Sequence, residues 1–336
     1  MKIAVLLYQN MRYAPFVKLY EQILHAVDEV TYDVIYLNRN PELQELCDDH
    51  HIAISWFGKN NQSSVNKAIT SVLYSFRVKK ILNCKSYDFI IVLTTMPGVL
   101  LANYLIKHFH KRYLMDIRDY TREYIKPYFF IEKKIVNGSA INVISSPDFV
   151  KFLPSAEYHV CHNLTIPGTV VEGTRLKKAP GKRIVIAYVG IIQYVEQCLQ
   201  LIKLVNADDR FELRFYGPED GNNEISTYIA QLNNPRISMK GRYLPKDKGK
   251  IITQSDILFN CYGNGNNIVK YAISNKYYDG ACYRSPLLVS PSTTMARLTG
   301  EFGFPLDFKN VSDLEELYRW YCKINAQAFE QYCTHL

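Results

Sequence analysis

Between Phe89 and Ile117 the chain reads FIIVLTTMPGVLLANYLIKHFHKRYLMDI. The run Phe89–Thr94 is apolar and rich in β-branched residues, and Tyr113–Ile117 is again largely apolar. Between these two runs, Gly98–Phe109 has the apolar spacing of an amphipathic helix. A strand, a helix and a second strand in this order form the repeating unit of a parallel sheet, whose strands are buried on both faces and therefore lack polar alternation.

The same alternation continues along the chain in two series. The first series predicts strands at Lys2–Leu7, Val34–Leu37, His51–Trp56, Phe89–Thr94, Tyr113–Ile117, Ile141–Ile144 and Tyr158–Cys161. The second series predicts strands at Arg183–Val189, Glu212–Tyr216, Ile237–Lys240, Ile257–Asn260 and Leu287–Ser290. We therefore predict an α/β protein of two tandem Rossmann-like domains, each a doubly wound parallel sheet, with a ligand in the interdomain cleft at the carboxyl ends of the strands.

The two series are separated by a segment of different character. Residues 163–182 contain two Pro, three Gly and four basic residues and show no apolar period, which is typical of an interdomain linker. We predict a first domain at 1–165, a linker at 166–182 and a second domain at 183–311. Residues 312–336 are predicted as a C-terminal segment with one helix at Ser312–Tyr332, long enough to cross back to the first domain.

The charge is distributed unevenly. The 336 residues carry a net charge of +8, with 48% hydrophobic and 21% charged residues, a composition that excludes disorder, collagen and coiled coil. From Lys59 to Lys134 there are 14 Lys and Arg against five Asp and Glu, so this window has a net charge of +9 and the rest of the chain −1. The basic excess therefore belongs to the first domain alone. No nucleic-acid-binding module is recognisable in it.

In one segment of this basic window the apolar residues recur at the spacing of a helix. A predicted helix at Asn66–Asn83 places one set of residues on a single face, with basic residues around it: Ile69, Val72, Leu73, Phe76 and Lys80. Such a helix is suited to an anionic membrane surface, and it is equally compatible with an ordinary surface helix. A second basic cluster at Lys107, Lys111 and Arg112 favours membrane contact. Since no apolar run reaches the length of a membrane span and the N-terminus lacks a signal peptide, we expect a cytoplasmic protein that binds the membrane peripherally.

Metal and dinucleotide sites are not predicted. The eight cysteines form no Cys-x-x-Cys pair and no complete set at zinc spacing, so we expect reduced thiols and no metal. The stretch Gly263–Ile268 has two of the glycines of a dinucleotide fingerprint but lacks the third and occurs late in its domain. We interpret it as a polar loop that lines the cleft.

Residues 273–290 read ISNKYYDGACYRSPLLVS and carry the most specific pattern in the chain. Lys276 lies at the start of a predicted helix, and Asp279 follows on the same face before a turn with Pro286 and a buried strand. The free N–H groups of the helix start and the lysine ammonium suit a diphosphate, and Asp279 could accept the hydroxyls of a ribose. The alternative is an incidental Lys–Asp surface pair.

This pattern resembles the donor-site signature of GT-B glycosyltransferases, and specifically the large group that builds bacterial capsule and lipopolysaccharide sugars. Further landmarks resemble the family in the same order along the chain: Asp116–Asp119, Val143–Ser145, Ile186–Gly190, Phe211–Gly217 and Ile237–Arg242. The resemblance implies transfer of a sugar from a nucleotide-diphosphate sugar to a hydroxyl of a glycan, which is expected to be linked to a polyprenyl diphosphate. It implies a hexosyltransferase with no metal and no cofactor beyond the sugar nucleotide as co-substrate.

The resemblance also implies roles for individual residues. The donor site would consist of Gly190, Gln193, Gly217, Arg242, Tyr262, Gly263, Asn264, Asn275, Lys276 and Asp279. The acceptor would contact the first domain at Gln9, Arg12, Thr95 and Arg118. Lys276 would stabilise the leaving diphosphate, and Asp119 or Asp116 would be the general base. Alternatively, Asp116, Arg118 and Asp119 form a structural ion-pair network.

The chain departs from the family pattern at three places. Tyr271 occupies the position of a second glutamate that many retaining members have, Asp279 replaces a glutamate, and Ile191–Tyr194 lacks a basic residue expected after the first glycine turn. Two other functions therefore remain open. One is a nucleotide-sugar 2-epimerase on the same fold, which would need more acid and base groups in the cleft, and the other is a nucleotide-sugar-binding protein without turnover.

Overall fold

The computed structural model describes residues 1–40, 48–55, 64–163, 176, 182–221, 223–310 and 312–335. The chain divides into two compact units, Met1–Thr165 and Ile166–Leu336. Most of the predicted linker at 166–182, and Trp56 at the end of a predicted strand, lie outside the described residues.

The first unit alternates strands and helices as predicted. Its strands are β1 (Lys2–Leu7), β2 (Thr31–Asn38), β3 (His51–Ser55), β4 (Phe89–Leu93), β5 (Tyr113–Ile117), β6 (Ile141–Ile144) and β7 (His159–Val160). Its helices are α1 (Val17–His25), α2 (Ser64–Lys85), α3 (Thr95–His108) and α4 (Lys126–Gly138). The strand order is β3-β2-β1-β4-β5-β6-β7 with parallel pairing throughout, which is the doubly wound arrangement.

The helices of the first unit are divided unequally between the two faces of its sheet. Apolar side chains of α1 pack on one face, with Val5, Leu7 and Val34 from the strands. Apolar side chains of α2, α3 and α4 pack on the other face, with Leu6 and Val92. Because both faces are covered, the central strand β1 is buried along nearly its whole length, which explains its uninterrupted apolar sequence.

The second unit repeats the same plan. Its strands are β8 (Ile184–Val189), β9 (Phe211–Tyr216), β10 (Ile237–Gly241), β11 (Ile257–Asn260), β12 (Leu287–Val289) and β13 (Gly303–Pro305). Its helices are α5 (Val195–Ala207), α6 (Glu224–Leu232), α7 (Lys248–Thr253), α8 (Asn267–Tyr271), α9 (Asn275–Cys282), α10 (Thr294–Thr299), α11 (Glu315–Lys323) and α12 (Ala326–His335). The strand order β10-β9-β8-β11-β12-β13 is again parallel throughout.

In each sheet the direction of chain progression reverses beside the central strand, β1 in the first unit and β8 in the second. Ligands of open α/β sheets bind in the crevice at the carboxyl ends of the strands at this point. The loops after β8 and β11 are therefore the expected ligand-binding loops of the second unit.

The C-terminal segment differs from the prediction. Two helices, α11 and α12, replace the single predicted helix Ser312–Tyr332, and the break falls at Ile324 and Asn325. Leu317, Tyr321 and Phe329 of these helices pack into the core of the second unit. No helix in the described part of the chain is both long enough and apolar enough to span a bilayer.

Candidate functional site

Three glycines lie side by side at the carboxyl edge of the second sheet. Gly190 follows β8, Gly217 follows β9 and Gly241 ends β10, with φ angles of 128°, 135° and 71°. The N–H of Gly217 donates to the carbonyl of Gly241 at 2.7 Å. A methyl group on Gly217 would lie 1.8 Å from the carbonyl oxygen of Gly190, so only glycine fits there. The structure thus brings together two of the predicted donor-site glycines, Gly190 and Gly217, and of these two it is the backbone of Gly190 that is partly exposed.

The ammonium group of Lys276 lies at this glycine edge. Lys276 is in the first turn of α9, and the N-cap hydroxyl of Ser274 accepts its backbone N–H at 3.3 Å. A methyl group on Gly190 would lie 3.6 Å from the Lys276 Nζ. Strand β8 and helix α9 are distant in sequence, so the fold alone makes this approach possible. The role of Lys276 at a donor diphosphate stays a prediction.

Aromatic rings surround the Lys276 ammonium. Its Nζ donates to the Tyr262 hydroxyl and lies 4.8 Å from the ring centroid of Tyr188 and 5.2 Å from that of Tyr262. Tyr194 stacks on Tyr262 with 4.4 Å between centroids. Burial lowers the pKa of Lys276, because charge is costly away from water, and the neighbouring Tyr188 opposes this shift only in part. An ammonium that has lost water in this way gains more from pairing with an anion than an exposed one does.

Tyr262, Gly263 and Asn264 form the loop after β11 and are fixed by the next loop of the sheet. The N–H of Gly263 donates to the Ser290 hydroxyl at 2.8 Å, and the Asn264 side-chain amide donates to the Pro291 carbonyl at 3.1 Å. This loop therefore stands at the point where the strand order reverses, as a ligand-binding loop should.

The remaining predicted donor residues differ in their surroundings. Gln193 donates through its side-chain amide to Asp220 at 3.0 Å and through its backbone to the Tyr188 hydroxyl at 3.2 Å. Asn275 is the first residue of α9 and is exposed, and Arg242 is exposed next to the edge strand β10.

Asp279 lies one turn after Lys276 on α9 and forms an ion pair that the sequence did not predict. The ammonium of Lys248, the first residue of α7, lies 2.6 Å from Asp279 Oδ1, and only 16% of the Asp279 side chain is exposed. Lys248, Tyr188 and Tyr194 are candidate site residues that sequence reasoning missed. Tyr188 lies within an apolar strand and Lys248 is one of three lysines on alternating positions, so neither carries a local signal.

At the carboxyl end of β5 in the first unit, Asp116 and Arg118 form a buried bidentate pair. The two Asp116 oxygens each lie 2.6 Å from a guanidinium nitrogen of Arg118, and the Tyr20 hydroxyl donates to Asp116 at 2.7 Å. Arg118 also donates to the Cys161 carbonyl and the Asn163 side chain, both at 2.8 Å. Asp116 is 0% exposed, and a general base must reach its substrate. This geometry fits the structural alternative: Asp116 is too buried to be the general base, and Arg118 pairs with it and does not offer the predicted contact to an acceptor.

Asp119, in the loop after β5, differs from its buried neighbour because it is exposed. Partial loss of water raises its pKa to about 6, although the charge of Arg118 pulls the pKa down. A carboxylate with this pKa is mostly ionised at neutral pH and close to the optimum for proton transfer there. Asp119 therefore stays the candidate general base.

Of the other predicted acceptor residues, two are at least partly exposed and one is buried. Gln9 follows β1 and donates to the Tyr13 carbonyl at 3.2 Å, and Arg12 is exposed in a short 3₁₀ turn. Thr95, the first residue of α3, is only 1% exposed, so its side chain does not offer the predicted contact with an acceptor.

The basic window of the first unit folds into α2, α3 and α4. These three helices contain nine Lys and Arg and a single acidic residue, Glu132, which is 0% exposed. The side of α2 that faces the core carries Thr70, Tyr74, Val78 and Leu82. The predicted apolar side faces outward, with exposed fractions of 51% for Ile69, 69% for Val72 and 67% for Phe76. Val65, which lies outside the predicted set, is 66% exposed. We call the outer surface of α2, α3 and α4 the basic apolar face.

Two residues of the second predicted basic cluster have local structural roles. Lys111 donates through Nζ to the carbonyls of Asn137 and Ser139 at 2.9 and 2.8 Å, and Arg112 donates to the His108 carbonyl at 2.6 Å. These hydrogen bonds connect the ends of α3 and α4. Lys111 and Arg112 therefore have structural roles and do not support membrane contact.

No group of three or more His, Cys, Asp or Glu residues in the described ranges could hold a metal ion. Metal independence stays a prediction.

Known proteins resemble this chain in structure and not in sequence. No protein-family model matches the sequence, and no curated protein matches it either. Sucrose-phosphate synthase from Thermosynechococcus elongatus aligns over 100% of this chain and 94% of its own, with a TM-score of 0.71 and 12% identity. The lipopolysaccharide outer core galactosyltransferase WaaB aligns over 100% and 95%, with a TM-score of 0.67 and 13% identity.

UDP-GlcNAc 2-epimerase from Neisseria meningitidis, solved with UDP-GlcNAc bound, aligns over 100% of this chain and 98% of its own, with a TM-score of 0.57 and 13% identity. At this level of identity the similarity shows the fold alone. The chain has the two parallel-sheet α/β domains of the GT-B fold, and the predicted fold class is confirmed.

Proposed function

We propose that this protein is a glycosyltransferase that moves a sugar from a nucleotide-diphosphate sugar to a hydroxyl of a glycan. The observation that carries the proposal is the partly desolvated Lys276 ammonium beside the bare backbone of Gly190, at the carboxyl edge of the second sheet. A lysine and glycine turns at this place suit a diphosphate.

The chemistry needs positive charge where the diphosphate leaves. As the bond between the sugar and the diphosphate breaks, the electron pair stays on the diphosphate oxygen, and its growing charge is stabilised by the Lys276 ammonium and the N–H groups at the start of α9. These groups come from the chain itself, and we propose a metal-independent hexosyl transfer.

On the acceptor side we propose Asp119 as the general base. The acceptor hydroxyl oxygen forms the new bond to the sugar, and its proton passes to the Asp119 carboxylate. The pKa of about 6 gives this carboxylate the right charge at neutral pH.

A binding screen followed by a release assay tests the proposal. Thermal shift with UDP-, GDP-, dTDP- and CMP-sugars identifies the donor, and nucleotide release is then measured with and without a lipid-linked glycan acceptor. Lys276→Ala should weaken diphosphate binding at least tenfold, because it removes a charge-assisted contact. Lys270→Ala, on the neighbouring helix α8, is the matched control. Wild-type affinity in Lys276→Ala, or release that no acceptor stimulates, would contradict the proposal.

We further propose that the acceptor is linked to a polyprenyl diphosphate and that the protein works peripherally at the inner face of the plasma membrane, in capsule or lipopolysaccharide synthesis. The basic apolar face supports this. Its apolar stripe on α2 is flanked by Lys67 and Lys80, and on α4 the exposed Phe130 lies under the ammonium of Lys134 at 4.7 Å. Apolar side chains ringed by lysines, with no exposed acid on these helices, match an anionic membrane surface.

Vesicle flotation tests the membrane step. Neutralising Lys67, Lys80 and Lys133 together should weaken binding to vesicles with anionic lipid about 100-fold, at about 1 kcal/mol for each lysine. Lys18→Gln, on α1 at the opposite face of the sheet, is the control. Equal flotation of the triple variant and the wild type, or no flotation of the wild type, would exclude this surface as the contact.

The 2-epimerase alternative is kept because an epimerase aligns with the whole chain. Product analysis separates the two: an epimerase converts a UDP-sugar to its 2-epimer without acceptor, whereas a transferase yields an elongated glycan. A protein that binds a sugar nucleotide and gives neither product is a binding protein without turnover.

A further inference from the structure

The ion pair between Lys248 and Asp279 joins two segments of the second unit that are distant in sequence. Lys248 begins α7, which follows β10, and Asp279 lies on α9 one turn beyond Lys276. The ammonium contacts Oδ1 at 2.6 Å, with 34% of the Lys248 side chain and 16% of the Asp279 side chain exposed. Removing one partner of a partly buried ion pair costs more than removing one at the open surface, because the remaining charge is left without compensation away from water.

The position of Lys248 beside Asp279 is fixed by the packing of its neighbour in α7. The next residue, Gly249, lies so close to the ring of Tyr283 that a methyl group on it would be 2.8 Å from the ring. Tyr283 directly follows α9, so this contact joins the first turn of α7 to the end of the helix that carries Asp279. The neighbouring Lys246 and Lys250 are exposed.

From this geometry we infer that Lys248 is a positioning residue, which holds the Asp279 carboxylate ionised and oriented to accept the ribose hydroxyls of a nucleotide. The inference rests on the proposed function, because Asp279 is placed at the ribose only by that function. It gives Lys248 a role in recognition without contact to the reacting atoms, and it makes the protein selective for ribonucleotides.

The charge balance around Asp279 explains why a partner is needed. Burial raises the pKa of Asp279, and the charge and hydrogen bond of Lys248 pull that pKa down, with a smaller contribution from Lys276. The other titratable groups that face it are Tyr243 after β10, Cys282 at the end of α9 and Tyr283 directly after α9. Lys248 is the largest source of stabilising charge in this set. Without it the carboxyl would keep its proton to higher pH and would accept hydroxyl hydrogen bonds less well.

Calorimetry with UDP, ADP and GDP, each paired with its 2′,3′-dideoxy analogue, tests the inference. The wild type should prefer the ribose form at both pH 6.5 and pH 9. Lys248→Met should lose about tenfold or more of that preference at pH 6.5 and regain part of it at pH 9, because a higher pH favours loss of the Asp279 proton. Lys248→Arg should keep the preference, and Lys246→Met and Lys250→Met should match the wild type.

Three outcomes would overturn the inference. One is an unchanged ribose preference in Lys248→Met at both pH values. Another is tighter UDP binding by Lys248→Met, which would mean that Lys248 occupies the ribose position and competes with the ligand. The third is a wild type that binds none of the nucleotides, which would overturn the proposed function as well, whereas the first two leave it standing. Circular dichroism of each variant checks that the fold is intact.

Discussion

Replacing Glu132 by glutamine should stabilise the protein at neutral pH and leave its stability unchanged in acid. Glu132 lies on α4, is 0% exposed, and neither of its carboxyl oxygens has a hydrogen-bond partner among the described residues. Burial, together with the charge of Glu123, raises the pKa of Glu132 from 4.5 to about 8. The folded protein therefore holds a proton at pH 7 that the unfolded chain releases.

The magnitude follows from the difference between the pH and the pKa of the unfolded chain. Each pH unit above 4.5 costs about 1.4 kcal/mol, so at pH 7 keeping the proton lowers the free energy of unfolding by about 3 kcal/mol. This raised pKa means that stability is greatest below about 4.5, declines as the pH rises toward about 8, and is constant above it. Glu132→Gln cannot titrate, so its advantage over the wild type should grow from about 0.7 kcal/mol at pH 5 to about 3 kcal/mol at pH 7.

Urea unfolding at pH 5, 6, 7 and 8 measures this, with hydrogen exchange read on peptides of α4 because a two-domain chain need not unfold in one step. Glu157→Gln is the control, since that side chain in the same unit is 87% exposed. A difference between Glu132→Gln and the wild type that stays constant from pH 5 to pH 8 would refute the argument. So would a wild type that gains stability over this range while Glu132→Gln does not.

Three further changes test other parts of the structure. Gly217→Ala should destabilise the second unit by about 3 kcal/mol or more, because its methyl group would meet the Gly190 carbonyl at a φ of 135°, whereas Gly265→Ala, with open space around it, should leave the melting temperature nearly unchanged. Asp119→Asn should slow glycosyl transfer by about 100-fold or more and abolish the decline in wild-type kcat expected below pH about 6, where the carboxylate takes up a proton; an unchanged profile would remove Asp119 as the base. Phe76→Ser should weaken vesicle flotation and leave the melting temperature unchanged because the ring is 67% exposed; a lower melting temperature would show that the ring packs in the fold.

The strands could be predicted closely because their signal is local. Lys2–Leu7, Tyr113–Ile117 and Ile257–Asn260 match the predicted bounds, since each is an apolar run buried on both faces. Strand β13 was missed because its three residues, Gly303–Pro305, show no strand pattern and pair only with β12.

The site residues could be predicted from the sequence only where they lie on one segment of the chain. Lys276 and Asp279 share a helix, so their spacing is visible in the sequence. Lys248 is one of three lysines at alternating positions, and only the packing of α7 near α9 determines which of them contacts Asp279. Asp116 and Asp119 are three residues apart in a similar sequence context, but the first faces a buried arginine and the second faces water.

If the proposed function and membrane contact hold, the unequal division of helices in the first unit has a consequence for how an acceptor would reach Asp119. Helices α2, α3 and α4 lie on one face of the first sheet, so a first unit resting on that face would hold its strands flat along the bilayer, with their carboxyl ends opening sideways. The sheet would stand about 10 Å above the headgroups, the diameter of one helix. A lipid-linked acceptor would then arrive by lateral diffusion in two dimensions, and only its first sugars would need to rise to meet Asp119.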